Sequence, residues 1–322
     1  AGVPAEITPL TRALNELLRR GYSRDIAIGS LAGAGTLGFL IPPSNILIIY
    51  GVLGDVSILK LFTAGVLPGV LLAGTFMGWV MLHTTLKPSM VPKAEAQLSQ
   101  VPWAERFAAL KDLAPALFLI ACVLGSMYGG LATPSEAAAV GVLGAALVAF
   151  FQGAMSQQVV RDVMIGSVIT CSMIALIVLG ASILGNAAAF LGIPQMVASF
   201  VKGLGLSPFM LIVVLIVFYL ILGCFLDGFS MIVMTLPIVL PIVKGAGFDA
   251  VWFGIFLVLA VEMSQITPPV GFNLFVIQGL TDDGLGYIAR VTAPYLLIMV
   301  AFVLLLTLFP GLVTILPRLL YG

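Results

Sequence analysis

Long apolar stretches separated by short polar segments organise the whole chain. About 20 apolar residues are enough to cross the hydrocarbon core of a bilayer. On that measure the sequence predicts the candidate spans Asp25–Val52, Phe62–Leu86, Leu113–Gly130, Ser135–Phe151, Val163–Leu191, Ser207–Leu226, Ser230–Val243, Ala250–Leu280 and Gly286–Leu316. The most polar segment, residues 87–112, is predicted to be a loop with an amphipathic helix in the membrane interface. The pattern therefore predicts an all-α integral membrane protein.

The composition agrees with this class and argues against several others. The chain has 322 residues, of which 61% are hydrophobic and 9% charged, whereas a soluble domain carries about 25% charged residues. Its net charge is zero, so nothing suggests nucleic acid. Cys122, Cys171 and Cys224 lie in apolar segments without paired spacing and are interpreted as inert thiols. His83 is interpreted as an interfacial residue, and no enzyme motif is found.

An internal repeat is the most informative feature of the sequence. Gly21-Tyr22, Pro42-Pro43 and Pro68 recur as Gly247-Phe248, Pro268-Pro269 and Pro294, each 226 residues further on. Several positions repeating at one offset indicate an internal duplication. The apolar run Phe209–Phe225 precedes the second copy and nothing comparable precedes the first. The sequence is therefore expected to be a fragment that begins inside a repeat element, with several helices before it.

Each double proline falls where a membrane-crossing helix should be continuous. Proline removes a backbone donor and breaks the helical ladder, and broken backbone at membrane depth survives only where it is buried in protein or lines a cavity. Two broken helices at matching repeat positions are a sequence pointer to a transporter's binding site. The alternative is a pair of structural kinks packed against neighbouring helices.

The residues around the first break have the chemistry of an ion and anion site. The prolines leave the carbonyls near Gly38 and Ile41 without partners, and such oxygens suit a hard cation such as sodium. The half-helix that follows turns its positive end toward the gap, which favours an anionic substrate group. Ser44 and Asn45 add polar side chains at that end. The second copy, Ser264–Asn273, repeats the layout with Thr267 in place of Ile41.

Three acidic residues lie in or beside apolar segments, where acids are costly and usually functional. Asp227 is predicted to cap the following helix or to face a water-filled cavity. Glu262 precedes the second double proline and is interpreted either as a buried hydrogen-bonding strut or as a group that carries protons or orients the broken segment. Glu136, in the first turn after Pro134, is predicted to cap its helix.

Membrane topology follows from the distribution of basic residues. With residues 1–24 and 87–112 in the cytoplasm, and with Ser207–Leu226 and Ser230–Val243 forming a re-entrant hairpin, ten Lys and Arg lie inside and four outside. Cytoplasmic loops carry the excess of basic residues, so this count supports the arrangement. The two copies then have opposite orientations, which is an inverted repeat.

Several spaced motifs resemble the large membrane subunit of TRAP transporters, the DctM type. They are the segment Gly38–Ser44, the Leu-Pro-Gly at 67–69, the segment Ala132–Ala137, Asp227 followed by Pro237 and Pro241, and the segment from Glu262 through Ile266–Phe275. The resemblance implies a sodium-driven tripartite importer of organic acid anions in a bacterial or archaeal inner membrane, working by an elevator mechanism. It also implies two partners, a small four-helix membrane subunit and a periplasmic substrate-binding protein.

The resemblance also implies site residues. One sodium site would use Gly38, Ile41 and Ser44 with the first hairpin tip, which falls where this chain begins. The other would use a set of residues from the second break and the second hairpin tip, namely Ser264, Thr267, Val270, Gly223, Asp227 and Gly228. Asn45, Asn273 and Thr267 are expected to contact the substrate carboxylate.

On the same grounds, the chain is expected to divide between a transport domain and a scaffold. Residues 1–58 and 207–285 would form the transport-domain parts of the two repeats. Residues 59–206, with the amphipathic segment 87–112, and a C-terminal helix at 286–322 would form the scaffold. Two alternatives remain open: a stand-alone sodium- or proton-coupled dicarboxylate or citrate permease, and a channel or structural membrane subunit without coupled transport.

Overall fold

The computed structural model describes residues 7–92, 114–268, 271–281 and 283–321. Over these residues the secondary structure is helical, with no strand. The helices are α1 (Ile7–Arg19), α2 (Arg24–Leu40), α3 (Asn45–Gly54), α4 (Ile58–Leu86), α5 (Ala114–Tyr128), α6 (Pro134–Phe151), α7 (Gln157–Phe190), α8 (Ile193–Gly203), α9 (Pro208–Leu222), α10 (Gly228–Gly245), α11 (Ala250–Gln265), α12 (Phe272–Leu280), α13 (Leu285–Leu308) and α14 (Gly311–Tyr321). A 3₁₀ turn at Pro88–Met90 follows α4. The all-α prediction is confirmed.

Among the described residues, six stretches of helix are long and apolar enough to cross a membrane by length and composition. They are Arg24–Gly54, Ile58–Leu86, Pro134–Phe151, Gln157–Phe190, Gly228–Gly245 and Leu285–Leu308. Helices α5, α9, α11 and α14 are apolar but shorter. The chain is therefore a multi-pass membrane protein.

The chain divides into two compact units, one of residues 1–96 with 184–322 and one of residues 97–183. The core of the first unit is α11, which packs against α2, α3, α4, α9, α10, α13 and α14. Every residue from Trp252 to Ser264 is buried, because this helix is apolar on all sides and is surrounded by other helices. Helix α11 is thus enclosed by protein up to Ser264, while Gln265 and Thr267 are half-buried and Pro268 is exposed.

The repeat seen in the sequence is also a repeat of helices. Helices α2, α3 and α4 correspond to α11, α12 and α13 at the same offset of 226 residues, within one or two residues at their starts. The N-caps correspond as well, since Ser23 accepts the Ile26 N–H at 3.4 Å and Asp249 accepts the Val251 N–H at 2.7 Å. Before each cap lies a glycine with positive φ, Gly21 at 88° and Gly247 at 91°.

In the second unit, α5 and α6 form a helical hairpin. A Cβ placed on Gly144 would lie 2.6 Å from Leu119 Cδ2, and one on Gly141 would lie 2.9 Å from Val123 Cγ2. These glycines allow the two helices to approach closely. The predicted role of Glu136 is confirmed: its carboxylate accepts the Thr133 N–H at 2.7 Å, and Thr133 accepts the Glu136 N–H, which completes a capping box.

Two helix predictions differ from the structure. A single helix over Gly286–Leu316, within the expected C-terminal scaffold helix at 286–322, is wrong, because α13 ends at Leu308 and α14 begins at Gly311. Pro310 has no N–H, and proline disfavours helical backbone at the residue before it. Helix α8 was not predicted. The predicted amphipathic segment at 87–112 lies outside the described residues from position 93 onward.

Candidate functional site

The first double proline breaks the helix as the sequence predicts. Helix α2 ends at Leu40, and the Ile41 N–H donates to the Leu37 carbonyl at 2.9 Å. Pro42 and Pro43, joined by a cis peptide bond, supply no N–H, so the carbonyls four residues earlier have no donor in the helical ladder. Gly38 is one of these. Helix α3 then begins after Ser44, whose hydroxyl accepts the Leu47 N–H at 3.3 Å.

The predicted residues of this first site differ in exposure. Ser44 is buried, while Gly38, Ile41 and Asn45 are exposed. Ile41 lies against α4, because a Cβ on Gly69 would be 2.7 Å from Ile41 Cγ1. The side chain of Ser44 is occupied as a helix cap, and the first break is open on one side.

The second double proline ends α11 in a different local geometry. The Ile266 N–H donates to the Met263 carbonyl at 3.3 Å, and the Thr267 N–H donates to the Ser264 carbonyl at 3.2 Å. Both bonds span three residues and tighten the last turn. Val270, a predicted ligand, lies outside the described residues.

A glycine just after the break folds back onto it. The Gly271 N–H donates to the Thr267 carbonyl at 3.0 Å. A Cβ on Gly271 would lie 2.6 Å from the Gln265 carbonyl oxygen and 2.9 Å from that of Thr267. The backbone can fold back this closely only where no side chain intervenes. Two carbonyl oxygens of the break therefore lie beside one small residue.

The turn between α9 and α10 packs directly on the end of α11. A Cβ on Gly223 would lie 2.0 Å from Ser264 Cβ and 2.4 Å from Ser264 Oγ. A Cβ on Gly228 would lie 2.6 Å from Val261 Cγ1. No side chain fits at either position, so the chain places bare backbone against the broken helix. The structure thus places Gly223 against Ser264 and Gly228 against Val261 on the same helix; the family resemblance implies that Gly223, Gly228 and Ser264 share one ion site.

A cavity of about 150 Å³ lies where this turn meets α11. Its lining includes Gly223, Asp227 and Ser264 from the predicted set, together with Gln265. Asp227 caps α10, since its carboxylate accepts the Phe229 N–H at 3.0 Å and the Ser230 N–H at 3.3 Å. Capping was one of the two predicted roles of Asp227, and its place in the cavity lining leaves the other role open to experiment.

The two hydroxyls of the second break have oxygens able to act as ligands. Ser264 Oγ donates to the Val261 carbonyl at 2.6 Å, and Thr267 Oγ1 donates to the Met263 carbonyl at 2.6 Å. A hydroxyl that donates its hydrogen within the helix keeps its oxygen lone pairs for another partner. Such an oxygen is a suitable ligand for a hard cation.

The two amides predicted to bind substrate lie on different broken helices. Asn45 is exposed at the start of α3, and Asn273 is half-buried on α12. A Cβ on Gly35 would lie 4.0 Å from Asn273 Nδ2, so α12 reaches the side of α2. Asn45 and Asn273 are not brought into hydrogen-bond contact, and within the described ranges neither amide side chain has a hydrogen-bond partner.

Two polar side chains near the end of α11 have unpartnered buried atoms. Both carboxylate oxygens of Glu262 and the Gln265 Oε1 atom are buried without a hydrogen bond from any residue that the structure describes. A hydrogen-bonding strut, one interpretation of Glu262, is therefore not seen among those residues. Gln265 was missed in the sequence, although it is three residues after Glu262 and so lies on a nearby part of the helix surface.

No group of three or more His, Cys, Asp or Glu that could hold a metal ion occurs within the described residues. The oxygens at the second break come instead from backbone carbonyls, hydroxyls and single polar side chains. Oxygens of this kind, with the single carboxylate of Asp227, suit a hard cation better than a transition metal that takes imidazole or thiolate ligands.

Apolar spanning helices with two broken members at matching repeat positions define a membrane transporter. Residues 8–312 match the family described as the DctM component of tripartite ATP-independent periplasmic (TRAP) transporters. The chain belongs to this family and is a TRAP transporter large permease, which is a transport component and not an enzyme.

Three relatives illustrate the range of the family. The C4-dicarboxylate TRAP transporter large permease protein DctM of Pseudomonas aeruginosa is 35% identical over 307 residues, which cover 95% of this chain and 70% of the relative. The isethionate TRAP transporter permease protein DctMQ of Oleidesulfovibrio alaskensis is 31% identical over 92% of this chain and 46% of the relative. The sialic acid TRAP transporter large permease protein SiaM of Vibrio cholerae is 30% identical over 94% and 69%.

Proposed function

We propose that the protein imports an organic acid anion through a bacterial inner membrane, driven by sodium and by an elevator movement. The observation that carries the proposal is the packing of the Gly223 turn on Ser264 at the broken end of α11. This contact forms a small cavity at a point where the helical ladder is interrupted, lined by Asp227, Ser264 and Gln265 together with apolar side chains. Backbone interrupted at membrane depth is tolerated when it lines such a cavity.

Sodium would bind at both breaks. At the second break, Ser264 and Thr267 would hold it with backbone oxygens of the turn from Gly223 to Gly228, while Val270 remains a proposed ligand outside the described residues. Asp227, which lines the cavity, would offset the charge of the cation. At the first break, the ligands would be the carbonyls of Gly38 and Ile41 with Ser44. Bound sodium would supply positive charge beside the substrate carboxylate.

The carboxylate would bind between the two broken helices. The N-termini of α3 and α12 provide partial positive charge and free N–H groups, and Asn45, Asn273 and Thr267 would provide side-chain contacts. The relatives are named for C4-dicarboxylate, isethionate and sialic acid. All three are acids, so we propose a small organic acid anion as the substrate class.

Movement would take the form of an elevator, with the α9–α10 hairpin re-entrant and the two repeats inverted in the membrane. The hairpin geometry supports this: α9 ends at Leu222, α10 begins at Gly228, and the Tyr219 and Thr235 hydroxyls lie 2.9 Å apart between the two helices. The unit of α2, α3 and α9–α12 would slide against a scaffold formed by other helices and the small four-helix membrane subunit.

Two protein partners complete the proposed system. One relative is a single permease protein whose name, DctMQ, joins two subunit letters. This name supports a small membrane subunit as the lateral partner. A periplasmic substrate-binding protein would deliver the anion, as the family description of a periplasmic transporter suggests.

Reconstitution tests the proposal. Proteoliposomes containing the full-length permease and its small subunit are assayed with and without a sodium gradient, and with and without the soluble binding protein. We expect accumulation of the anion only when both are present. Accumulation with sodium but without the binding protein would instead identify a stand-alone carrier. Accumulation without sodium would show that sodium is not the coupling ion.

A further inference from the structure

A second cavity, remote from the helix breaks, lies at the ends of α2, α4 and α13. Its volume is about 270 Å³, and it is lined by Asp25, Trp79, His83, Lys87, Tyr287 and Arg290 among others. Asp25 is in the first turn of α2, Lys87 follows the last turn of α4, and Arg290 is in the second turn of α13. The ends of three membrane-spanning helices meet at this cavity. We call it the interface cavity.

The interface cavity has an excess of unpaired positive charge. The Asp25 carboxylate accepts a hydrogen bond from the Tyr287 hydroxyl, and Arg24 nearby is paired with Asp283 at 3.0 Å. Among the residues that the structure describes, neither Lys87 nor Arg290 forms an ion pair. Both cationic side chains are exposed. The cavity therefore offers two free cations to an anionic group.

An apolar groove continues from this cavity into the membrane. The groove has a volume of about 410 Å³, and its lining includes Ala34, Leu37, Ala73 and Met77. It shares Val80 and Tyr295 with the interface cavity. The polar cavity and the apolar groove are thus two ends of one continuous site between α2, α4 and α13.

The length of this site matches one leaflet of a bilayer. Leu37 lies twelve residues after Asp25 on α2, which is about 18 Å along a helix axis. Half of a hydrocarbon core is about 15 Å thick. Trp79, stacked on His83 with ring centroids 5.5 Å apart, lies two turns before the end of α4, and tryptophan is enriched at membrane interfaces.

We propose that this site binds one anionic phospholipid, with its phosphate in the interface cavity and an acyl chain in the groove. Basic pockets between spanning helices on the cytoplasmic side recognise anionic headgroups, and the topology inferred from the sequence places Lys87 and Arg290 on that side. A soluble anion would leave the groove empty, and an apolar partner helix would gain nothing from the two cations. Because α2 ends at the first break, the lipid contacts a helix of the proposed moving unit.

Lipid titration of the full-length protein tests the assignment. The protein is delipidated in detergent and titrated with phosphatidylglycerol or phosphatidylcholine, while native mass spectrometry counts bound lipids and a thermal scan measures stability. We expect one tightly bound phosphatidylglycerol that raises the melting temperature. Lys87→Gln or Arg290→Gln should weaken its binding about fivefold each, and the double variant about twenty-five-fold, from the contribution of a basic residue at a membrane surface.

Matched variants separate this site from general effects. Lys60→Gln changes a lysine at the opposite end of α4, and Arg318→Gln changes an exposed arginine in α14; neither should alter phosphatidylglycerol binding. Lys87→Arg should retain it. Ala34→Phe fills the groove and should reduce binding, whereas Ala145→Phe on the exposed side of α6 should not.

Three results would overturn the proposal. One is equal binding of phosphatidylglycerol and phosphatidylcholine, and another is equal stabilisation by glycerol phosphate, which would indicate a site for free anions. The third is displacement of the lipid by the small membrane subunit, which would show that protein covers the groove. None of these readouts depends on transport, so the outcome is independent of the proposed sodium coupling.

Discussion

The two broken helices share one sequence pattern but are built into different surroundings. At the first break, Gly38, Pro43 and Asn45 are exposed, while Pro42 and Ser44 are buried. At the second, α11 is buried from Trp252 to Ser264, and the turn at Gly223 closes directly on it. The duplicated prolines lie where each helix ends, whereas the element packed on each end differs: α4 at the first break and the Gly223 turn at the second.

The comparison shows that the proposed binding geometry depends on the contact between a broken helix and the turn that packs on its end. Gly223 and Gly228 belong to a part of the sequence some 40 residues before the second double proline, yet they lie within side-chain distance of Ser264 and Val261. At the first break, two glycines of α4 make the close contacts, Gly65 with the Leu40 carbonyl and Gly69 with Ile41. Each of the following variants changes one of the two breaks at a time.

The largest effect is expected from Gly223→Ala. The added Cβ would lie 2.0 Å from Ser264 Cβ, so the turn must move away from α11, and overpacking of this kind costs about 1–3 kcal/mol of unfolding free energy. Sodium-dependent uptake should be lost, and the melting temperature should fall. Gly245→Ala is the control, because a Cβ there meets no atom within 4 Å. Normal uptake by Gly223→Ala would show that the close contact is unnecessary.

Restoring a backbone donor at the second break should have the next largest effect. Pro268→Ala supplies an N–H and lets α11 continue. Transport should fall about tenfold, a change whose free energy is comparable to that of one net hydrogen bond. Pro42→Ala makes the matching change at the first break, and uptake assays compare the two. Full activity of Pro268→Ala would mean that residues other than proline maintain the break.

Thr267→Val should weaken sodium dependence with a smaller loss of transport. Valine keeps the shape but removes the oxygen, and the concentration of sodium for half-maximal uptake should rise about fivefold if one neutral ligand worth about 1 kcal/mol is lost. Thr267→Ser should retain the wild-type sodium response. Ile41 is the counterpart of Thr267 in the first repeat, so Ile41→Thr tests whether a hydroxyl there increases sodium affinity. An unchanged response in folded Thr267→Val would exclude this hydroxyl as a ligand.

The smallest effect is expected on stability from Glu262→Met. A buried polar group without a partner costs about 1–3 kcal/mol, so an apolar side chain of similar length should raise the melting temperature by a few degrees. A thermal scan of the purified protein measures this. Glu262→Gln, which keeps the buried polar atoms, should gain less. A fall in melting temperature for Glu262→Met would show that the carboxyl group has a stabilising partner.

The sequence predicted the breaks well because proline acts locally. A double proline removes two consecutive N–H groups, and α2 ends before Pro42-Pro43, whereas single prolines such as Pro68, Pro237 and Pro294 lie inside α4, α10 and α13. The end of α13 before Pro310 was overlooked. Caps are local too, and Glu136 and Asp227 could be predicted from the residues that follow them. The duplication added the correspondence of α2–α4 with α11–α13.

The contacts across the site could not be predicted in the same way. That Gly223 meets Ser264, or that Asn273 lies beside Gly35, depends on how distant helices pack. The burial of the Gln265 Oε1 atom is also a tertiary property, because a single glutamine in an apolar run has no periodic signature. The family resemblance named Gly223, Gly228 and Ser264 together, and the structure supplies the physical contact between them.

The most direct test of the central claim uses Cys224, which lies in the turn and contacts the Pro268 carbonyl at 3.7 Å. In a background with Cys122→Ser and Cys171→Ser, the rate of Cys224 labelling by a maleimide is compared in sodium and in potassium at equal ionic strength. If sodium binds between the turn and the broken end of α11, it should hold them together and slow the labelling. Equal rates in the two salts, with normal uptake by the same variant, would contradict a sodium site at this contact.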